Sequence, residues 1–186
     1  MKIVMLGTGY VGLVSGVCFS DFGFDVTCLD KDELKIENLN NGIIPIYESG
    51  LEDLLEKNAS SGRLKFSTEQ EVNIKNADVV FIAVGTPERR GEGHADLTYV
   101  FKAVNEISPY LDNYTVIVTK STVPVGTSSK IKEIIKEMNP NAKFDVVSNP
   151  EFLREGSAIE DFMRPNRVIV GYETEKSKKV MASLYK

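Results

Sequence analysis

Residues 2–12 read KIVMLGTGYVG. A short apolar run, Lys2 to Leu6, has the length and composition of a buried strand. It passes directly into Gly7-Thr8-Gly9-Tyr10-Val11-Gly12, a G-x-G-x-x-G loop, and the small and apolar residues from Tyr10 to Phe22 then read as a helix. Strand, glycine loop and helix in that order specify a βα unit whose turn can hold a dinucleotide. The first glycine permits the tight turn, the second lets backbone approach a pyrophosphate, and the third lets helix and strand pack closely. The helix start adds free N–H groups and the positive end of its dipole.

The rest of the chain repeats the alternation. Strands are expected at 25–30, 63–67, 78–84, 115–120, 144–147 and 167–171 (RVIVG). Helices are expected at 33–40, 51–58, about 97–107, about 131–138 and 173–186. Leu97, Val100, Phe101, Val104 and Ile107 share one helical face, as do Ile131, Ile134, Ile135 and Met138. The expected fold is α/β: a Rossmann-type, doubly wound, mainly parallel sheet with helices on both faces. The C-terminal helical pattern stops soon after it starts, so residues 1–186 are expected to be one dinucleotide-binding domain of a longer protein.

A net charge of −5 argues against nucleic acid or an anionic membrane as a main partner. No apolar stretch is long enough to span a bilayer. Cys18 and Cys28 lie inside apolar runs, as in a reduced, cytoplasmic protein, and are expected to be core residues with raised thiol pKa values. His94 stands alone in a charged loop, which argues against a metal site.

Ligands of such sheets bind beyond the carboxyl ends of the strands. The second strand ends in Asp30, whose carboxylate suits a ribose 2′-OH and repels a 2′-phosphate. That favours NAD over NADP, although Lys31 and Lys35 nearby soften the preference. Gly85-Thr86-Pro87 follows one strand and Ser121-Thr122 another, supplying a turn and two hydroxyls. After the 144–147 strand comes SNPEFLREGSAIEDF (148–162), with Glu151 and Glu155 four residues apart. A carboxylate at a cofactor cleft can act as a general base. The alternatives are a ligand-free glycine turn, ordinary turn and cap residues, and two solvated glutamates at a helix start.

GTGYVG, VGTP with ADLTYV, KSTVPVGT, and NPEFLREGSAIEDF with PNRVIVG together resemble the UDP-glucose/GDP-mannose dehydrogenase family. PIYESGLEDLL resembles its PIYEPGLEELL, with Ser49 where proline is common. Within the family, ADLTYV and LREGSAI are most similar to UDP-glucose 6-dehydrogenases. The resemblance implies two successive oxidations of a nucleotide sugar, UDP-glucose to UDP-glucuronate, each passing a hydride to NAD. It implies cofactor contacts from Gly7, Gly9, Tyr10, Val11, Gly12, Asp30, Lys35, Thr86, Pro87 and Ser121. Lys35 stands where arginine is common. Thr122 would help position a catalytic water, Glu151 would do acid–base work, and Glu155 would lie near the nicotinamide. The backbone of Phe152, Leu153, Arg154 and Glu155, with Glu151, would meet the sugar nucleotide. The family's nucleophilic cysteine belongs to a later motif, and its dimers form through a later central helix. The whole protein is therefore expected to be a homodimer or larger, and this segment alone to be inactive. GDP-mannose or a UDP-N-acetylhexosamine remains an alternative substrate, and a stand-alone NAD-binding regulatory module an alternative function.

Overall fold

The computed structural model describes residues 1–87 and 95–186; His94 lies outside the described residues. In chain order the elements are β1 (Lys2–Leu6), α1 (Tyr10–Asp21), β2 (Asp25–Leu29), α2 (Glu33–Asn40), α3 (Leu51–Ser60), β3 (Leu64–Ser67), α4 (Gln70–Lys75), β4 (Val79–Ile82), α5 (Thr98–Ile107), β5 (Thr115–Thr119), α6 (Thr127–Met138), β6 (Phe144–Ser148), α7 (Ala158–Met163) and α8 (Glu175–Leu184). Among the described residues six strands form one sheet in the order β3-β2-β1-β4-β5-β6, and every neighbouring pair is parallel. The chain winds outward from β1 to β3, then returns to place β4 on the other side of β1. The carboxyl ends of β1 and β4 flank that reversal, where such sheets open a crevice.

Burial on both faces explains why the strands read as continuous apolar runs. In β1, Ile3 and Met5 enter one core while Val4 and Leu6 enter the other. In β4, Val79 and Phe81 divide from Val80 and Ile82 in the same way. The first core is closed by α1, α2, α3, α7 and α8, the second by α4, α5 and α6. Phe19 on α1 stacks on Phe81 at 5.1 Å between ring centres and meets Phe162 edge-on at 4.9 Å, which ties α7 to the sheet. Cys18 and Cys28 are core residues as expected, and burial pushes both thiols up to about 12.

Three expectations need correction. RVIVG is not a strand. Gly171 makes one antiparallel bridge to Ser148, while the side-chain amide of Asn149 takes the Ile169 carbonyl at 2.8 Å, and Val168 and Ile169 are exposed. A side chain thus replaces a ladder bond, and pairing ends after one residue. Met138 belongs to the apolar face of α6 by spacing but is exposed at the last turn. The helix α4 was not expected, because its six residues are too few to declare a period. The C-terminal pattern does form a docked helix: the Thr174 side chain accepts from Ser177 N at 3.1 Å, and Met181 and Leu184 are buried.

Candidate functional site

The three glycines of the first loop are needed for different reasons. Gly7 has φ +98°, and a Cβ there would lie 2.9 Å from the Ala83 carbonyl oxygen on the neighbouring strand exit. A Cβ on Gly12 would sit 2.0 Å from the Gly7 carbonyl oxygen, so this glycine closes the helix onto the turn. Gly9 is unlike both. Its backbone is extended (φ −71°, ψ −174°), which any residue adopts, and no atom lies within 4 Å of where its Cβ would be. Nothing within the described protein requires glycine there. Gly9 is also the N-cap of α1 and offers no side chain to the first-turn N–H groups, which lack intrahelical partners. Open space over uncapped N–H groups fits a pyrophosphate.

Asp30 stands at the end of β2, one strand away. Its Oδ2 accepts from Thr8 N at 2.9 Å, Thr8 Oγ1 at 2.6 Å and Lys35 Nζ at 3.1 Å. Its Oδ1 accepts from Asp32 N at 3.3 Å, leaving room on that oxygen for ribose hydroxyls. Burial by itself would raise the carboxyl pKa, but the Thr8, Lys35 and Asp32 bonds outweigh it and hold it at about 2. Asp30 is therefore a fixed, ionised acceptor. Neither lysine near it is a loose cation: Lys35 is bound to Asp30, and Lys31 pairs with Glu106 of α5. Asp30 and Lys31 border a cavity of about 480 Å³ with Leu6, Leu29 and Ile107 in its apolar wall and Gly7, Gly85, Pro87 and Tyr99 around it. An apolar slot ending at an acceptor pair fits adenosine. Thr8, one of the three variable positions of the motif, was not singled out from sequence, although its two donors hold Asp30.

The expected rim residues divide. Ser121 donates its hydroxyl to the Val84 carbonyl at 2.9 Å, tying the exit of β5 to the exit of β4. Thr86 is half-buried beside that exit, and Thr122 is exposed. Glu151 is half-buried and accepts from Leu153 N at 2.5 Å. Glu151 and Glu155 do not share a helical face. Residues 149–157 are irregular and α7 begins only at Ala158, because Pro150 lacks a donor and Gly156 turns left-handed at φ +86°. Arg154 turns back onto Asp161 through Nε (3.0 Å) and Nη2 (2.7 Å), and its backbone N–H donates to the same carboxylate at 2.9 Å. The exposed ring of Phe152 lies 5.3 Å from the Arg167 guanidinium.

Two groups that sequence reasoning missed hold this rim. Glu48, in the long loop before α3, is buried. Its Oε2 accepts from Gly156 N at 2.8 Å and its Oε1 from Ala158 N at 2.9 Å, and Tyr10 donates to Oε2 in a short hydrogen bond. Gly156 N also reaches the Tyr10 hydroxyl at 3.0 Å. One carboxylate thus joins the glycine loop to the 149–157 segment. Burial and this bond push the Tyr10 phenol up to about 12.

Lys120, at the end of β5, is 4% exposed. Its ammonium donates to Asn149 Oδ1 at 3.3 Å, reaches the Tyr185 hydroxyl at 3.5 Å, and lies 5.4 Å from the centre of the Phe162 ring. It lines a small pocket with Glu151, Phe152 and Arg167. Burial pulls its pKa from the ordinary 10.5 to about 8, against the pull of Glu151 and Cys18. The folded state therefore sheds this proton between about pH 8 and 10.5 while the unfolded chain keeps it, so Lys120 makes stability rise with pH there. Relative to Lys120→Met, the wild type is expected to gain about 1 kcal/mol between pH 8 and pH 9. Denaturant unfolding at each pH checks this; parallel profiles would contradict it.

Among the described residues no group of three or more His, Cys, Asp or Glu side chains is placed to hold a metal ion, and no helix is long and apolar enough to cross a membrane.

Comparison with known proteins agrees with the cleft. The chain is 57% identical to the UDP-glucose 6-dehydrogenase of Rhizobium meliloti, covering 100% of this chain and 43% of that protein. It is 50% identical to the UDP-glucose 6-dehydrogenase TuaD of Bacillus subtilis, over 99% of this chain and 40% of that one. Among solved structures, a UDP-glucose dehydrogenase from Pyrobaculum islandicum superposes with a TM-score of 0.94 at 40% identity, covering 99% of this chain and 43% of that one. A GDP-mannose dehydrogenase from Pseudomonas aeruginosa gives 0.95 at 34%, over 100% and 44%. The chain thus spans less than half the length of these relatives. Residues 1–186 match the family described as UDP-glucose/GDP-mannose dehydrogenase family, NAD binding domain. The chain therefore belongs to the UDP-glucose/GDP-mannose dehydrogenase family, as its NAD-binding domain.

Proposed function

We propose that residues 1–186 are the NAD⁺-binding domain of a UDP-glucose 6-dehydrogenase, which oxidises UDP-glucose to UDP-glucuronate in two hydride transfers to NAD⁺. The observation that carries the cofactor reading is Gly9: an extended glycine with no intramolecular reason to lack a side chain, over the uncapped start of α1. Identity to named UDP-glucose 6-dehydrogenases along the whole chain supports the substrate. The cofactor, when bound, supplies the hydride acceptor. The loop Gly7 to Gly12 would hold the pyrophosphate, Asp30 the adenosine ribose, and Thr86, Pro87 and Ser121 the nicotinamide side. Lys35 would act through Asp30, to which it is bound. Glu151 would manage protons at the rim, Thr122 would help orient water, and Glu155 would border the nicotinamide. The backbone from Phe152 through Leu153 and Arg154 to Glu155 would meet the sugar nucleotide.

The nucleophile that traps the intermediate aldehyde lies elsewhere in the whole protein on this reading, because Cys18 and Cys28 are fully buried thiols with raised pKa values. The whole protein is proposed to be a homodimer or larger. The test is turnover of the full-length enzyme with separate nucleotide sugars. Two NADH per UDP-glucose, with little from GDP-mannose or UDP-N-acetylhexosamines and none from the 186-residue chain alone, is the expected result. Preferred turnover of GDP-mannose would overturn the substrate assignment.

A further inference from the structure

The pair Lys31–Glu106 has no evident role in the fold. Lys31 is largely exposed, and Glu106 comes from the far end of α5, 75 residues along the chain. Both residues nevertheless border the 480 Å³ cavity beside Asp30. Lys31 follows Asp30, the acidic residue read as facing the ribose, so its side chain starts beside the place a 2′-phosphate would take. Cations in that region are what an NADP site uses. Here the cation is occupied by a carboxylate. The other oxygen of that carboxylate, Glu106 Oε2, is buried with no hydrogen-bond partner, so one lysine does not fully satisfy the group.

We propose that Glu106 is a cofactor-specificity residue: it holds the Lys31 ammonium in an ion pair and so away from a phosphate at the ribose 2′ position. The inference rests on the reading of this cavity as the adenosine site. Discrimination against NADP⁺ is then shared between two ion pairs. Lys35–Asp30 keeps the ribose acceptor in place, and Lys31–Glu106 withdraws the cation that would reward a phosphate. This removes the ambiguity that Lys31 and Lys35 create in the sequence. Lys102, one turn earlier on α5, also borders the cavity and is the remaining cation there among the described residues; it is unchanged in every variant below.

The test is calorimetric titration of wild type, Glu106→Gln and the double variant Glu106→Gln/Lys31→Ala with NAD⁺ and with NADP⁺. Glu106→Gln is expected to move the affinity ratio toward NADP⁺ by roughly three- to fivefold at low salt. The gain is expected to shrink at high salt, where exposed charges are screened. Adding Lys31→Ala is expected to abolish it. An unchanged ratio in Glu106→Gln, or a gain that survives loss of Lys31, would overturn the proposal. Failure of the wild type to bind NAD⁺ would instead remove the adenosine-site reading beneath it. Should Glu106→Gln not fold, Glu106→Ala frees Lys31 equally and carries the same expectation.

Discussion

Gly9→Val is expected to lower NAD⁺ affinity by roughly 100-fold while costing no more than about 1 kcal/mol of stability. The two effects separate because the isopropyl group would enter space that the protein itself leaves empty. Valine adopts the extended backbone of this position without strain, and its stability cost is that of a poorer N-cap, about 4 °C or less in a domain of this size. A pyrophosphate lying on the α1 N-terminus would meet the new methyl groups directly. Gly12→Ala should behave in the opposite sense. Its Cβ would fall 2.0 Å from the Gly7 carbonyl oxygen, a backbone atom that cannot swing aside. The helix must shift, at a cost of about 2–3 kcal/mol. Calorimetric titration and thermal unfolding of both variants check the contrast. Wild-type affinity in Gly9→Val would mean that no ligand passes over that residue.

Glu48→Ala is expected to destabilise the chain by about 3 kcal/mol and lower its unfolding temperature by roughly 6–12 °C. The loss is large for a loop residue because the carboxylate is buried and satisfies two backbone donors at once, Gly156 N and Ala158 N. Alanine leaves Ala158 N unpaired in the buried interior and leaves Gly156 N with the Tyr10 hydroxyl alone, which loses its own acceptor. Glu48→Gln keeps one acceptor oxygen and should cost about half as much. Tyr10→Phe alone should cost about 1 kcal/mol. The double variant Tyr10→Phe/Glu48→Ala should cost less than the sum, because the two share one network. Strict additivity would show that the glycine loop and the 149–157 segment are not joined through this carboxylate. Because the segment carries Glu151 and Glu155, the same variants should weaken turnover in the full-length enzyme through misplacement of that rim.

The sheet was legible because burial on both faces makes the inner strands β1, β4 and β5 near-continuous apolar runs, and the glycine loop fixes where the first turn goes. The helix faces of α5 and α6 were legible from spacing, except where Met138 at a helix end escapes the core. RVIVG misled for a physical reason: its composition suits a strand, but only its contact with the edge of β6 decides pairing, and Asn149 intercepts it. Glu151 and Glu155 do not sit at a helix start, the alternative the sequence left open, because Pro150 and Gly156 keep the segment irregular up to Ala158. Glu48, Lys120 and Glu106 were not read as functional from local pattern. Their partners lie 108, 29 and 75 residues away, so their meaning exists only after folding. Lys120 offered a faint signal, a lysine closing an apolar run at the rim. Glu106 offered none, since a glutamate on an amphipathic helix ordinarily faces solvent.

The central claim is that the crevice at the ends of β1, β2 and β4 binds NAD⁺ through the glycine loop and Asp30. Calorimetric titration of the 186-residue chain with NAD⁺ and with NADP⁺ tests it most directly. The account predicts one site for NAD⁺ and NADP⁺ binding at least about 20-fold weaker, because a 2′-phosphate would face an ionised Asp30 held at a pKa of about 2. Equal or tighter binding of NADP⁺, or no heat of binding with either dinucleotide, would contradict it.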